Sequence, residues 1–435
     1  MTISKIWALE ILDSRGFPTL KTYVTLEDGS TGWAAIPSGA STGSHEAHEL
    51  RDGDTHRYAG QGVLKAKYNV ENVLQTLLVG QDAFDQEKID QKMIHEDGTP
   101  NKARLGANAI LSVSLAVARA AAVSRKLELY QYLAHFFNTN SIVLPVPMIN
   151  VINGGKHAPG SSDIQEYVLM PYGFSKFSES LRAADEVFHK LKGLISARGF
   201  ATTVGDEGGF APKLGSNTEP LSLLVEAISE AGYVPGTEFG LGIDSAASEF
   251  FKDGQYHLQA ENKSLSRDEL TDYYVKMAEK FPLCSLEDHF AEDDWQGFVN
   301  LNKLLGQKVQ TVGDDLYVTN VERLKKGIGL QATNAILIKV NQIGTLSETI
   351  QAIKLAKESQ MQVVVSHRSG ETEDSFIADL VVGAGLGQIK TGSLSRSERL
   401  AKYNRLLEIE AREKELDPDH LFYYDFPYKL NGNGY

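Results

Sequence analysis

Cysteine is almost absent: Cys284 is the only one in 435 residues. An intrachain disulfide is excluded, and such a composition suits a reducing compartment, so a cytoplasmic location is expected. Cys284 sits in the apolar run Phe281-Pro282-Leu283-Cys284 and is expected as a buried thiol rather than a nucleophile. Basic residues are outnumbered, 43 Lys+Arg against 57 Asp+Glu, for a net charge of −14. Non-specific nucleic-acid binding needs clustered cations, so no nucleic-acid partner is expected. Long apolar runs are missing too. The most apolar stretch, Ala107 to Val123, is short for a membrane span and carries Ser112, Ser114 and Arg119. It reads as an Ala-rich helix packed among other elements. The opening "MTISKIWALEILDSRG" has Glu10 and Asp13 and no apolar core, so no signal peptide is expected. There is no GxxxxGK[ST] phosphate loop, and "VVGAGLGQ" has Gln388 where a dinucleotide loop needs its third glycine. "HEAH" (His45 to His48) lacks the i,i+4 histidines of a zinc protease and is expected to open a helix.

What remains is a chain of ordinary globular composition, 42% hydrophobic and 23% charged. Residues 3–36 alternate in strand fashion around the hairpin signal Asp28-Gly29. Helical patterns run from Ala59 to Phe137, and the Pro-punctuated "NTNSIVLPVP" marks a boundary. The expected division is an α+β domain over 1–138 and a second domain over 139–435. In the second, short apolar runs alternate with helical stretches, which implies a mainly parallel α/β sheet. The runs include "PVPMINVINGG", "EYVLMP", "ATTVGDEGG", "GLGIDSA", "PLCSLEDHF", "VQTVGDDL", "AILIKVNQIG", "QVVVSHRSG" and "GQIKTGS". About eight strands over roughly 290 residues fit a (β/α)8 barrel, whose chemistry sits at the C-terminal strand ends. Glu207, Asp244, Glu287, Asp314, Lys339, His367 and Lys390 are all expected there.

Asp244, Glu287 and Asp314 end three successive runs, spaced 43 and 27 residues apart. One such acid reads as a cap or a surface residue. Three converging on one rim would repel one another unless a metal sat between them. An all-oxygen donor set points to Mg2+. Lys339 lies inside an apolar run. It reads either as the partner of a buried acid or as a base whose pKa is lowered toward neutrality by nearby cations. Arg368 offers a fork for phosphate or carboxylate. Glu207, in "VGDEGG", is a candidate acid. "PSGASTG" and "NGGKHAPGSS" read as mobile surface loops or as lids that exclude water.

These motifs, with "EILDSRG", "LGANAIL", "DIQEY", "AEDDW", "VGDDLYVTN", "SHRSGETED" and "QIKTGSLSRSERLAKYN", resemble enolase over nearly the whole chain and in order. The resemblance implies a smaller α+β domain capping a modified (β/α)8 barrel with one antiparallel strand. It implies reversible dehydration of 2-phospho-D-glycerate to phosphoenolpyruvate and water, a lyase reaction, with two Mg2+ per active site. It implies that Lys339 is the base and Glu207 the acid. Asp244, Glu287 and Asp314 match ligands of the first Mg2+, and Ser41 a ligand of the second. Arg368 and Ser369 match phosphate contacts, Lys390 a carboxylate contact, and His157, Gln165, Glu166 and His367 the pocket wall. A homodimer or octamer is the family expectation. The rival readings are an acid-sugar dehydratase of the wider superfamily, which Arg368 and Ser369 oppose, and a non-catalytic binding role.

Three positions depart from the family pattern: Phe17 in "DSRGFP", the "HAPGSS" loop with Pro159, and His289 after "ED". In "SLEDHFAEDDW" the expectation is that Glu287 alone binds the metal. Asp288, Glu292, Asp293 and Asp294 are expected to serve the turn and the next segment. His289 is expected in the turn itself, since histidine tolerates positive φ better than most residues.

Overall fold

The computed structural model describes residues 1–39, 43–139, 141–416, 419 and 421–430. The N-terminal sheet is antiparallel, with strands Ile3–Leu12, Pro18–Leu26 and Thr31–Ala35 in sequence order. The Asp28-Gly29 turn forms as expected: Gly29 takes φ +84°, and the Asp28 carboxylate accepts the Ser30 N–H at 2.9 Å. Helix Ala107–Ser124 packs across the sheet's inner face. The approach is so close that a Cβ on Gly32 would lie 2.2 Å from the Ala120 nitrogen. By length and composition this helix could cross a membrane, but 83% of it is buried inside the protein. Its alanines serve close packing.

His45 to His48 do not open a helix; the segment is irregular. Its backbone is instead bound by distant partners, with Ala47 N–H donating to Gln342 O and His48 N–H to Asn101 O. Those tertiary bonds take the groups that a first helical turn would use.

The second domain is a closed eight-stranded barrel. Its strands run Val146–Asn153, Glu166–Met170, Gly240–Asp244, Leu283–Glu287, Gln310–Gly313, Ala335–Ile338, Gln362–Ser366 and Gln388–Lys390. All pairings are parallel except those of Glu166–Met170, which is antiparallel to both neighbours. The connection 154–165 explains the exception. It holds only the short turn Gly155–His157 and no crossover helix, the element that usually returns a chain to a parallel strand.

"ATTVGDEGG" is not a barrel strand. It makes only isolated bridges, Val204 with Phe210 and Phe210 with Ile152. Gly208 takes φ +88°, and a Cβ there would meet Ser395 O at 2.4 Å. The glycines that let this loop lie against its neighbours also prevent a regular strand. Glu207 therefore reaches the site from a loop.

The barrel interior is layered. At the bottom, Val146, Met148, Val168, Met170, Cys284, Val312, Leu337 and Val364 form an apolar cluster. Burial pushes the Cys284 thiol well above its ordinary range, so it stays protonated. Phe426, from the C-terminal segment, closes this end and stacks on Tyr172 at 5.6 Å. Among them, at the start of their strands, the Gln310 and Gln388 amides bond reciprocally at 2.9 and 2.8 Å. The charged residues lie above that layer. Truncating a buried phenylalanine costs about 3–5 kcal/mol. Phe426→Ala should lower unfolding stability by that order in denaturant titration, with the folded fraction keeping its activity.

Candidate active site

Strand register gathers the site. Glu166 pairs with Asp244 and Asp244 with Glu287, so three carboxylates stand side by side on adjacent strands. Lys390 reaches into them. Its Nζ lies 2.9 Å from Asp244 Oδ2, 2.9 Å from Glu287 Oε1 and 3.2 Å from Glu166 Oε2. Asp314, just past the next strand, pairs with Lys339 and accepts an N–H of Gln342 at 2.9 Å. Asp244, Glu287 and Asp314 thus share one rim, with two ammonium groups set among them.

Asp288 is part of the site, which the sequence did not disclose. It carries the positive φ, +40°, that was expected at His289. This turns its carboxylate to accept the N–H groups of Asp314 (2.9 Å) and Asp315 (2.8 Å). Oxygens of Asp288, Asp314 and Asp315 lie within 4.8 Å of one another. The doublets "ED" and "DD" at neighbouring strand ends were the available signal.

Seven carboxylates and three cations line the cavity, and Glu287 stands directly beneath it. Burial, then Asp244, raises the Glu287 pKa well above the carboxylate range. Burial, then Asp315, does the same to Asp288. Burial, then Asp314, raises Asp315 to about 7. Buried anions in such surplus, all oxygen donors, fit a hard divalent cation such as Mg2+.

Lys339 shows the first of its two readings. Burial would lower its pKa, but Asp314 outweighs burial and holds the ammonium above its ordinary value. Both readings of this lysine therefore meet in one residue: it is the partner of a buried acid in this arrangement.

A second group faces Lys339 from the far side of the barrel. Asn150 donates to Glu207 Oε2 at 3.1 Å, and His367 Nε2 lies 3.4 Å from the same oxygen. His157 bridges the two glutamates, with Nδ1 3.7 Å from Glu166 and Nε2 3.9 Å from Glu207. Their environments differ. Burial, then Glu207, raises Glu166 well above the usual range. Burial also pushes Glu207 upward, but His367, His157 and Arg399 outweigh it and bring it well below. A proton shared by this pair rests on Glu166. His157 Nδ1 and Gln165 Oε1 are buried along the cavity without hydrogen-bond partners, as expected of groups that await a polar ligand.

Arg368 and Ser369 line the cavity as expected. Arg368 is gripped by Glu46 at 2.9 and 3.1 Å and donates to Asn341 Oδ1 at 2.9 Å. Glu46 belongs to the "HEAH" segment, whose sequence gave no reason to look for a role in the second domain. Ser41 lies outside the described residues.

The remaining acids of "SLEDHFAEDDW" serve the following segment. Glu292 accepts from the Ser44 hydroxyl at 2.7 Å, Asp293 pairs with Arg323 at 3.2 Å, and Asp294 caps helix Trp295–Leu305 through Gly297 N–H. His289 is no exposed turn residue. Its ring is fully buried against Phe298 (4.6 Å) and Phe290 (5.5 Å). Burial drives its pKa to about 3, so the ring is neutral. The Leu286 backbone opposes that shift slightly, yet neither ring nitrogen has a partner in hydrogen-bond geometry. An unpaired buried polar group costs about 1–3 kcal/mol. His289→Leu should therefore match or exceed the parent's thermal stability by up to about that amount, and leave metal dependence unchanged.

Residues 3–133 match the family description "Enolase, N-terminal domain". Residues 141–418 match "Enolase, C-terminal TIM barrel domain". The matches span both the sheet domain and the barrel that carries the acidic rim, and the chain belongs to the enolase family.

Proposed function

We propose that this protein reversibly dehydrates 2-phospho-D-glycerate to phosphoenolpyruvate and water. The observation that carries this reading is the separation of Lys339 and the Glu166–Glu207 pair on opposite sides of one cavity that also holds Arg368. Lys339 takes the proton from C2, the C2=C3 bond forms, and the C3–O bond breaks. The departing hydroxyl takes the proton of the glutamate pair through Glu207, and water leaves. Arg368 and Ser369 hold the phosphate, and Lys390 faces the substrate carboxylate. His157, Gln165 and His367 complete the wall.

A C2 proton beside a carboxylate is weakly acidic, because its removal adds charge to an anion. Asp244, Glu287 and Asp314 would hold one Mg2+ and Ser41 would help hold a second, and these ions would supply the positive charge that stabilises this build-up; enolase-superfamily sites are a known instance of a lysine or histidine base working beside one or two Mg2+ ions. Asp314 raises the Lys339 pKa and so opposes its action as a base; that opposition weakens when the carboxylate's charge is turned to a cation. A homodimer or octamer is proposed, supported by the exposure of Leu9, Leu12 and Phe17 on the N-terminal sheet. A cytoplasmic setting is proposed from the lone buried thiol.

Addition of 2-phosphoglycerate and Mg2+ should raise the ultraviolet absorbance of phosphoenolpyruvate, and EDTA should abolish the signal. Full activity in EDTA would contradict the reading. Positioned acids and bases contribute about 10²–10⁴-fold. Lys339→Ala should lose at least that and stop exchange of the C2 proton with solvent. Glu207→Gln should block dehydration yet keep C2 exchange, because the base is intact. Near-normal exchange in Lys339→Ala would show that the base is wrongly assigned.

A further inference from the structure

Arg399 is fully buried in the first turn of helix Ser397–Leu416. A guanidinium is costly to bury and is retained only where its donors are used. Here one nitrogen donates to His367 Nδ1 and to Arg368 O at 2.7 Å. The other terminal nitrogen donates to Ser369 O at 2.6 Å and Asp206 O at 3.1 Å. Nε faces Glu398 at 3.4 Å. The loop after Lys390 also closes on this side chain. A Cβ on Gly392 would lie 2.7 Å from Arg399 Cδ and 2.8 Å from Glu207 O, and Gly392 takes φ +83°. Ser393 N–H donates to Glu207 O at 2.8 Å. Three loops of the site therefore meet on one fork: that of Glu207, that of His367 to Ser369, and that of Lys390.

The bond to His367 has a chemical consequence. Arginine only donates, so Nδ1 must accept and cannot carry a proton. The ring proton is then on Nε2, the nitrogen that faces Glu207. We infer that Arg399 is a positioning residue that holds His367 as the neutral, Nε2-protonated tautomer, so that His367 gives Glu207 a hydrogen bond but not a full positive charge. This deepens the proposed function, because it rests on Glu207 handling the proton of the leaving hydroxyl.

The charged groups that face His367 are Glu207 from its loop, Arg399 from the helix, and Glu371 from its own loop. Burial lowers the imidazole to about 4; Glu207 pulls upward and Arg399 downward. A doubly protonated ring would hold Glu207 as a carboxylate still more firmly and oppose passage of the pair's proton from Glu166 to it. Lysine at 399 would keep the charge but lose the planar fork, so Nδ1 would be free to take a proton.

The test uses full-length protein labelled with ¹⁵N-histidine, with His367→Asn to identify the His367 signal. The expected spectrum shows an unprotonated Nδ1, a protonated Nε2, and no imidazolium at neutral pH. A protonated Nδ1 would overturn the inference, whether or not the protein dehydrates 2-phosphoglycerate. Arg399→Lys should move the acid limb of the kcat profile up by about one pH unit, as expected when a histidine regains access to its ordinary titration range. A folded Arg399→Lys variant with an unmoved limb would also overturn it. If that variant does not fold, the tautomer measured in the parent protein decides alone.

Discussion

Buried negative charge is the constraint around which this molecule is arranged. Asp244, Glu287, Asp288 and Asp314 are each 5% exposed or less, and they stand within one barrel mouth. Carboxylates taken from water without compensation are costly, so each must find a cation, a donor or a proton. Lys390 satisfies two of them directly and Lys339 a third. Asp288 is satisfied by backbone N–H groups, which its left-handed backbone turns it to meet. The antiparallel second strand matters here, because its reversal sets Glu166 beside Asp244 and adds another acid to the row. Below, the apolar cluster and the reciprocal Gln310–Gln388 pair fill the barrel floor.

The surplus has a chemical use. A site that holds more acids than bases draws in divalent cations, and the same acids set the protonation of their neighbours. Asp314 raises the pKa of Lys339, and burial with Glu207 raises that of Glu166. One barrel thus keeps a potential base and a potential acid apart by surrounding them differently. The N-terminal domain takes part. Glu46 orients Arg368, Ser38 and Gly370 exchange backbone hydrogen bonds, and Arg119 pairs with Asp374 at the buried junction. The cap is built into the Arg368 side of the cavity.

Much of this was legible along the chain. Asp244, Glu287, Asp314 and Lys390 each close an apolar run, and the strand period places such residues at the rim. Glu207 was recognisable as a site residue on a glycine-bounded turn, but its lead Ala201-Thr202-Thr203-Val204 imitates a barrel strand that does not form. Glu46, Gln342 and Arg399 were hidden for a common reason. Each acts through one partner far away in sequence, and no local pattern encodes such a pairing. The positive φ expected at His289 falls on Asp288, and the burial of the His289 ring was hidden because acids surround it in sequence, whereas aromatic rings surround it in space. For Lys339 the sequence left two readings open, because the cations near it were visible along the chain and its contact with Asp314 was not.

The central claim is that the acidic rim is built to exchange protons for a divalent cation. Titrating Mg2+ into the protein by calorimetry, in buffers of different ionisation heat, tests it directly. With Asp315 raised to about 7 and Glu287 and Asp288 raised beside it, binding at neutral pH should release protons, so the apparent enthalpy should vary with the buffer. Saturable binding with no buffer dependence, or no binding at millimolar Mg2+, would contradict the account.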